Sequence, residues 1–180
     1  GKGGTYFGAT GCGKTYTMAF LARQLSMRCA SEIGSPTILM IVDREDLQKQ
    51  GSKLFTKSKE FLGLGEVCVV PNRKILRQEL AARESGGFYI CTIQKFCDRE
   101  EDPIGLINER SNIICFSDEA HRTQLEGAKR IKYSKHNEDS GNECLNQVDE
   151  QMKAVLSKPY AKVLREALPH ATFVGFTGTP

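Results

Sequence analysis

A chain of 180 residues, 39% hydrophobic and 26% charged with a net charge of +3, has the composition of a soluble globular protein and is long enough to bury a core as one domain. So small a net charge excludes global polybasic character, and any basic surface for nucleic acid has to be local. Seven cysteines (Cys12, Cys29, Cys68, Cys91, Cys97, Cys115, Cys144), odd in number and without a C-x-x-C pair, fit free thiols in a reducing cytoplasm better than a disulfide framework or a zinc site. No apolar run approaches membrane-spanning length, no signal peptide is visible, and no membrane partner is expected.

Thr5-Tyr6-Phe7 reads as a short strand, and Gly8-Ala9-Thr10-Gly11-Cys12-Gly13-Lys14-Thr15 follows it. This octet fits the phosphate-loop pattern of glycine, four free positions and Gly-Lys-Thr, and a helix-periodic stretch comes after it. Glycines let the backbone turn tightly, so that successive N–H groups face phosphate oxygens while the next helix adds its positive N-terminus. Lys14 would reach the β- and γ-phosphates, and the Thr15 hydroxyl would ligate Mg²⁺. Cys12 stands at this helix N-terminus beside Lys14, an environment that activates thiols; it is expected either to be reactive in the empty site and masked by nucleotide or to be an inert thiol buried against the loop.

Met18, Leu21, Ala22, Leu25 and Cys29 recur at helical spacing, and Gly34-Ser35-Pro36 ends that helix. Ile38 to Val42 is a continuous apolar run, as in a strand covered on both sheet faces. Asp43 can cap the next helix, with Leu47, Leu54, Phe55 and Leu62 inward and Gly63 near its end. Val67 to Val70 reads as a strand and Asn72 to Glu84 as a helix with Ile75, Leu76 and Leu80 inward. Phe88 to Cys91 is another strand, ending in Thr92-Ile93-Gln94-Lys95-Phe96, and Ile113 to Phe116 is the next. The last delivers Asp118-Glu119-Ala120-His121 at its carboxyl end, although Ser117 interrupts the apolar run. Alternation of strand and helix is the βαβ rhythm of a parallel sheet, whose ligands bind at the carboxyl ends of the strands.

From Arg122 to Leu168 the texture changes. Lys129 to His136 is basic and Asn137 to Asn142 polar, so a polar insertion is expected at about 123–144, with Tyr133 and the basic run as a possible extra DNA contact or a solvated loop. Leu145 to Leu156 and Tyr160 to Ala167 read as two helices, and Thr172 to Phe176 as a last strand that presents Thr177-Gly178-Thr179-Pro180. His136 and His170 lack neighbours at metal-ligand spacing and read as surface or packing residues.

Phosphoryl transfer needs a phosphate cradle, a metal, and a carboxylate to hold the metal and orient water. Asp118 is the natural Mg²⁺ partner of Thr15, and Glu119 would orient the attacking water. Lys14, Asp118 and Glu119 are therefore the expected catalytic set.

The order GATGCGKT, PTILMIVDREDLQKQ, TIQKF, SDEAHRTQ and FVGFTGTP resembles the first RecA-like motor domain of superfamily 2 helicases and translocases, and more narrowly the R (restriction) subunit of type I restriction enzymes. The resemblance implies an α/β, RecA-like three-layer P-loop fold with a mostly parallel sheet, over residues 1–180 as a single domain. It places Gly11, Gly13, Lys14 and Thr15 in motif I, Asp118, Glu119 and His121 in motif II, and Thr177, Gly178 and Thr179 in motif III, which would couple nucleotide state to DNA grip. Asp43, Arg44, Gln50, Thr92, Gln94 and Lys95 correspond to segments that track the nucleic-acid backbone, with Arg44, Gln94 and Lys95 on phosphates. The implied cofactors are ATP and Mg²⁺. The implied partners are duplex DNA, a second RecA-like lobe and a nuclease domain of the same parent chain, and methyltransferase and specificity subunits, in a bacterial or archaeal cytoplasm.

Cys12 departs from the family's usual serine. The chain starts without Met and stops directly after a β-like run, so a fragment of something longer is expected, which binds nucleotide with little turnover. A superfamily 2 RNA helicase and a non-hydrolysing nucleotide-binding module are the alternatives; TIQKF and DEAHRTQ point away from the first.

Overall fold

The computed structural model describes residues 3–9, 11–96, 102–118 and 160–178. Its six strands are β1 (Gly4–Phe7), β2 (Thr37–Val42), β3 (Val67–Val69), β4 (Phe88–Thr92), β5 (Ile113–Asp118) and β6 (Thr172–Thr177). They form one sheet in the order β1-β6-β5-β2-β4-β3, and every pairing is parallel. Parallel neighbours require crossovers, and helices supply them.

The apolar runs are continuous because each central strand serves two cores. Ile38, Met40 and Val42 of β2, Phe88 and Ile90 of β4, and Ile114 and Phe116 of β5 join one buried cluster. Leu39, Ile41, Tyr89, Cys91, Ile113 and Cys115, one residue out of phase, join the other, as the two-residue period of a strand demands. The first cluster is covered by α1 (Lys14–Arg23), α3 (Glu45–Lys57) and α4 (Lys59–Leu62) through Met18, Ala22, Phe55 and Leu62. The second is covered by α5 (Arg73–Ala82) and α6 (Tyr160–Ala167) through Leu76, Leu80, Val163 and Leu164. The result is the three-layer, RecA-like α/β fold expected from the motif order. Phe55 stacks on Phe88 with ring centroids 4.5 Å apart, and Phe116 meets Phe176 edge-on at 5.7 Å.

Four local expectations need correction. Arg44, with extended backbone, stands at the N-cap of α3 without a side-chain cap bond, so Asp43 does not cap that helix. Its carboxylate instead lies 3.6 Å from the Arg44 guanidinium. The helix expected to run on to Leu62 breaks at Ser58, which separates α3 from α4, and Gly63 ends α4 in the left-handed conformation. Ile93–Phe96 is a 3₁₀ turn, so only Thr92 of that motif belongs to the strand. Ser117 does not interrupt β5, which continues through it to Asp118 and still pairs with β2 and β6. Asn72, by contrast, caps α5 by accepting the Ile75 N–H at 3.0 Å.

Past α1 the chain widens into a π-helical turn at Gln24–Arg28, closed by the Cys29 N–H on the Gln24 carbonyl, before a last turn, α2 (Ala30–Ile33). At the amino ends of the strands, Arg110 donates to the Thr37 hydroxyl (2.6 Å), the Arg83 carbonyl (2.5 Å) and the Asn112 amide oxygen (3.0 Å). Thr37 passes its own proton to the Gly86 carbonyl at 2.7 Å, and Asn112 donates to the Gly34 carbonyl at 2.6 Å. Burial, and next the nearby charge of Arg83, lower the basicity of Arg110.

Candidate functional site

The phosphate-loop octet leaves the carboxyl end of β1 and enters α1 within a few residues. Gly11 (φ 81°) and Gly13 (φ 85°) both adopt the left-handed region, and Gly13 is the N-cap of α1. These positions require glycine because a Cβ there is strained whatever the space around it. A side chain at Gly8 would meet a different obstacle: its Cβ would lie 2.7 Å from Cys12 Sγ and 2.8 Å from Tyr6 Cε1. The loop therefore curls tightly enough for Cys12, itself exposed, to approach Gly8. Lys14 Nζ bends back across the turn to the carbonyls of Gly8 (3.2 Å) and Ala9 (3.4 Å). The Gly13 carbonyl takes the N–H groups of Tyr16 and Thr17, which leaves the N–H groups of Lys14 and Thr15, at the very start of the helix, without a helical acceptor. This is a cradle with the shape and polarity for phosphate.

β6 lies between β1 and β5, and Phe176 is opposite both Tyr6 and Asp118. With parallel neighbours about 4.8 Å apart, Asp118 and the strand that launches the loop are separated by about 10 Å. The Gly8 N–H donates to the Thr177 carbonyl at 3.0 Å, tying the start of the loop to the end of β6. Thr177 is buried and Gly178 follows it directly. The structure thus brings Gly8, Ala9, Gly11 to Thr15, Asp118, Thr177 and Gly178 to one end of three adjacent strands. Thr10, Glu119, His121, Thr179, the basic run at 129–136 and the helix expected at 145–156 lie outside the described residues.

A second group of expected residues collects at the same end of the sheet, on β2 and β4. Val42 is in register with Thr92, so Asp43-Arg44 and Gln94-Lys95 leave the ladder side by side. The Gln94 amide donates to the Asp43 carbonyl at 2.7 Å, and Lys95 Nζ donates to the Thr92 hydroxyl at 3.1 Å. The Arg44 side chain is 62% exposed while that of Asp43 is 10% exposed. Below this edge Cys91 is fully buried, and desolvation pushes its thiol up to about 12, with Lys95 pulling weakly the other way. Burial also raises Cys115, and Cys91 adds to that.

Gln48 is the residue that sequence reading missed. The motif PTILMIVDREDLQKQ drew attention to its last residue, Gln50, which is exposed, whereas Gln48 is buried and its amide donates to the carbonyls of Val70 (3.3 Å) and Ile90 (3.0 Å). It closes the end of the β3–β4 ladder, which stops at the Val69–Ile90 pair. A signal existed: Gln48, Gly51 and Phe55 fall on one helical face, and all three are buried.

Comparison with known proteins gives the family. The SWI2/SNF2 ATPase family model matches residues 1–180. The chain belongs to the SWI2/SNF2 ATPase family. This SWI2/SNF2 ATPase is 36% identical, over 98% of its length, to the type I restriction enzyme HindI endonuclease subunit of Haemophilus influenzae. It is 27% identical, again over 98% of its length, to the putative type I restriction enzyme MjaIXP endonuclease subunit of Methanocaldococcus jannaschii. It spans only 15% and 13% of the length of these two relatives. Membership implies ATP use, and the similarity agrees with the resemblance to R subunits read from the five motifs. Among the described residues no helix of the ATPase is long and apolar enough to cross a membrane.

Proposed function

We propose that this chain is the ATP-binding motor lobe of a type I restriction endonuclease subunit, which couples ATP hydrolysis to duplex DNA translocation before cleavage. The observation that carries this reading is the convergence, at one end of one sheet, of a glycine-shaped phosphate cradle with Asp118 and of a polar edge made by Arg44, Thr92, Gln94 and Lys95. In this reading residues 1–180 are one domain, with a polar insertion at about 123–144, and the second RecA-like lobe and the nuclease domain belong to the rest of a longer chain. Methyltransferase and specificity subunits complete the complex, in a bacterial or archaeal cytoplasm.

The residues present fit a nucleoside triphosphate: the left-handed glycines turn the loop and the first turn of α1 offers N–H groups to anionic oxygens. Lys14 exchanges its two carbonyl contacts for the β- and γ-phosphates. Thr15 and Asp118 would hold Mg²⁺, which when bound supplies charge neutralisation to the phosphates. Glu119 orients the attacking water. His121, Thr177, Gly178 and Thr179 connect this site to the DNA edge, and the Gly8–Thr177 hydrogen bond is a direct link between loop and β6.

The test uses the full-length subunit and residues 1–180 side by side. In the full-length subunit Glu119→Gln is expected to keep MgATP binding and lose turnover. The shorter chain is expected to bind MgATP with little turnover, since a missing trans-acting arginine costs roughly 10³–10⁵ in rate. Robust hydrolysis by residues 1–180 that Glu119→Gln abolishes would contradict the second expectation. ATPase stimulated by single-stranded RNA and not by duplex DNA would replace the restriction reading with an RNA helicase.

A further inference from the structure

Gln94 has a task other than touching DNA. The β2–β4 ladder ends at Val42 and Thr92, because the chain after Thr92 tightens into the 3₁₀ turn Ile93–Phe96 and no longer runs alongside β2. The Asp43 carbonyl lies one residue past the end of the ladder, where a main-chain acceptor needs a donor from outside the strand. The Gln94 side-chain amide is that donor, at 2.7 Å. Arg44 comes next, in extended backbone (φ −130°, ψ 155°) at the N-cap of α3, with a guanidinium that faces solvent apart from its 3.6 Å approach to Asp43. The peptide that Gln94 grips is therefore the one that aims Arg44.

Resting on the DNA-motor reading, we propose that Gln94 is a positioning residue: it locks the Asp43–Arg44 peptide so that the Arg44 guanidinium is presented to the DNA backbone, and contributes no phosphate contact of its own. Without the amide the peptide between β2 and α3 loses its tie to the 3₁₀ turn and gains rotational freedom, and the Arg44 charge spreads over a wider arc. A neutral amide and a guanidinium are separable by salt. Only a cation that neutralises a phosphate changes the slope of log K against log[salt], by about 0.9 per contact.

The experiment measures binding of the full-length subunit to a short duplex of random sequence across a salt series, for wild type, Arg44→Ala, Gln94→Met and the double variant. Methionine keeps the length of glutamine and removes the N–H. The expected result is a slope reduced by about 1 in all three variants, with the double variant binding as weakly as Arg44→Ala and no weaker. Gln94→Ala, which frees the same carbonyl with less bulk, is the second variant and is expected to behave alike. A Gln94→Met protein that keeps the wild-type slope, with affinity losses that multiply in the double variant, overturns the inference and makes Gln94 a DNA contact itself. If Arg44→Ala also keeps the wild-type slope, the DNA reading of this edge falls, and the inference with it.

Discussion

At the amino ends of the strands Arg110, Thr37, Asn112 and the carbonyls of Gly34, Arg83 and Gly86 spend their hydrogen bonds on one another. At the carboxyl ends Lys14 only leans on the carbonyls of its own loop at 3.2 and 3.4 Å, and Arg44 faces solvent. Both ends carry polar and cationic groups, but one is a closed web and the other an open set of cations and loop N–H groups. A charge surrounded by short contacts from three directions is a structural part, whereas a charge held by long contacts can be transferred to a ligand at little cost to the fold.

The largest expected effect tests the open end. Lys14→Ala should weaken MgATP binding or turnover by up to about 100-fold, as expected for losing a charge-assisted contact worth up to about 3 kcal/mol. Stability should stay within about 0.5 kcal/mol of wild type. Calorimetric titration and thermal melting measure the two sides, and a large fall in melting temperature would place Lys14 in the closed class. Arg110→Met is the mirror experiment. Leaving the Arg83 carbonyl and the Thr37 and Asn112 oxygens short of a donor should cost about 2–3 kcal/mol of stability, with MgATP affinity unchanged.

Between the two ends lie the buried thiols, which respond to pH. An unfolded thiol loses its proton near 9, and Cys91 in the fold keeps its proton until about 12, so between these values the folded state binds more protons than the unfolded one. The stability linked to Cys91 is therefore fully present below pH 9 and is lost as pH rises toward 12, by about 1.4 kcal/mol per pH unit. Cys115 acts in the same direction. Urea melts at pH 8, 9 and 10 should show this decline, Cys91→Ala should lessen it, and the part that remains should go with Cys115.

The smallest effect concerns accessibility. Cys12 is exposed in the loop while Cys91 and Cys115 are buried. Alkylation of the native protein should modify Cys12 first, slow several-fold with Mg-ADP, and reach Cys91 and Cys115 only on unfolding. Equal rates at Cys12 with and without Mg-ADP would show that nucleotide does not cover it.

Much of this molecule is legible along the chain. Gly8 to Thr15, the apolar runs of β2, β4 and β5, and the acidic end of β5 are local patterns, since a phosphate turn, a two-faced strand and a helix face each depend on residues a few positions apart. Asp43 as a cap and the unbroken helix to Leu62 failed because Arg44, in extended backbone, takes the N-cap position and Ser58 leaves the helical conformation. The parallel α/β class was legible from the βαβ rhythm for the same local reason.

Tertiary structure alone decided which motifs are neighbours. That β6 separates the loop strand from β5, that the Thr177 carbonyl receives the Gly8 N–H, and that Gln94 reaches the Asp43 carbonyl 51 residues away follow from strand order and register. So does Gln48, whose residue type suggests a solvated helix face and whose two acceptors lie 22 and 42 positions further on. Side-chain chemistry is written residue by residue, but the identity of the group that meets each donor depends on which strands pair. Strand pairing minimises exposed apolar surface and unpaired backbone over the whole sheet at once, and no single stretch of sequence contains that sum.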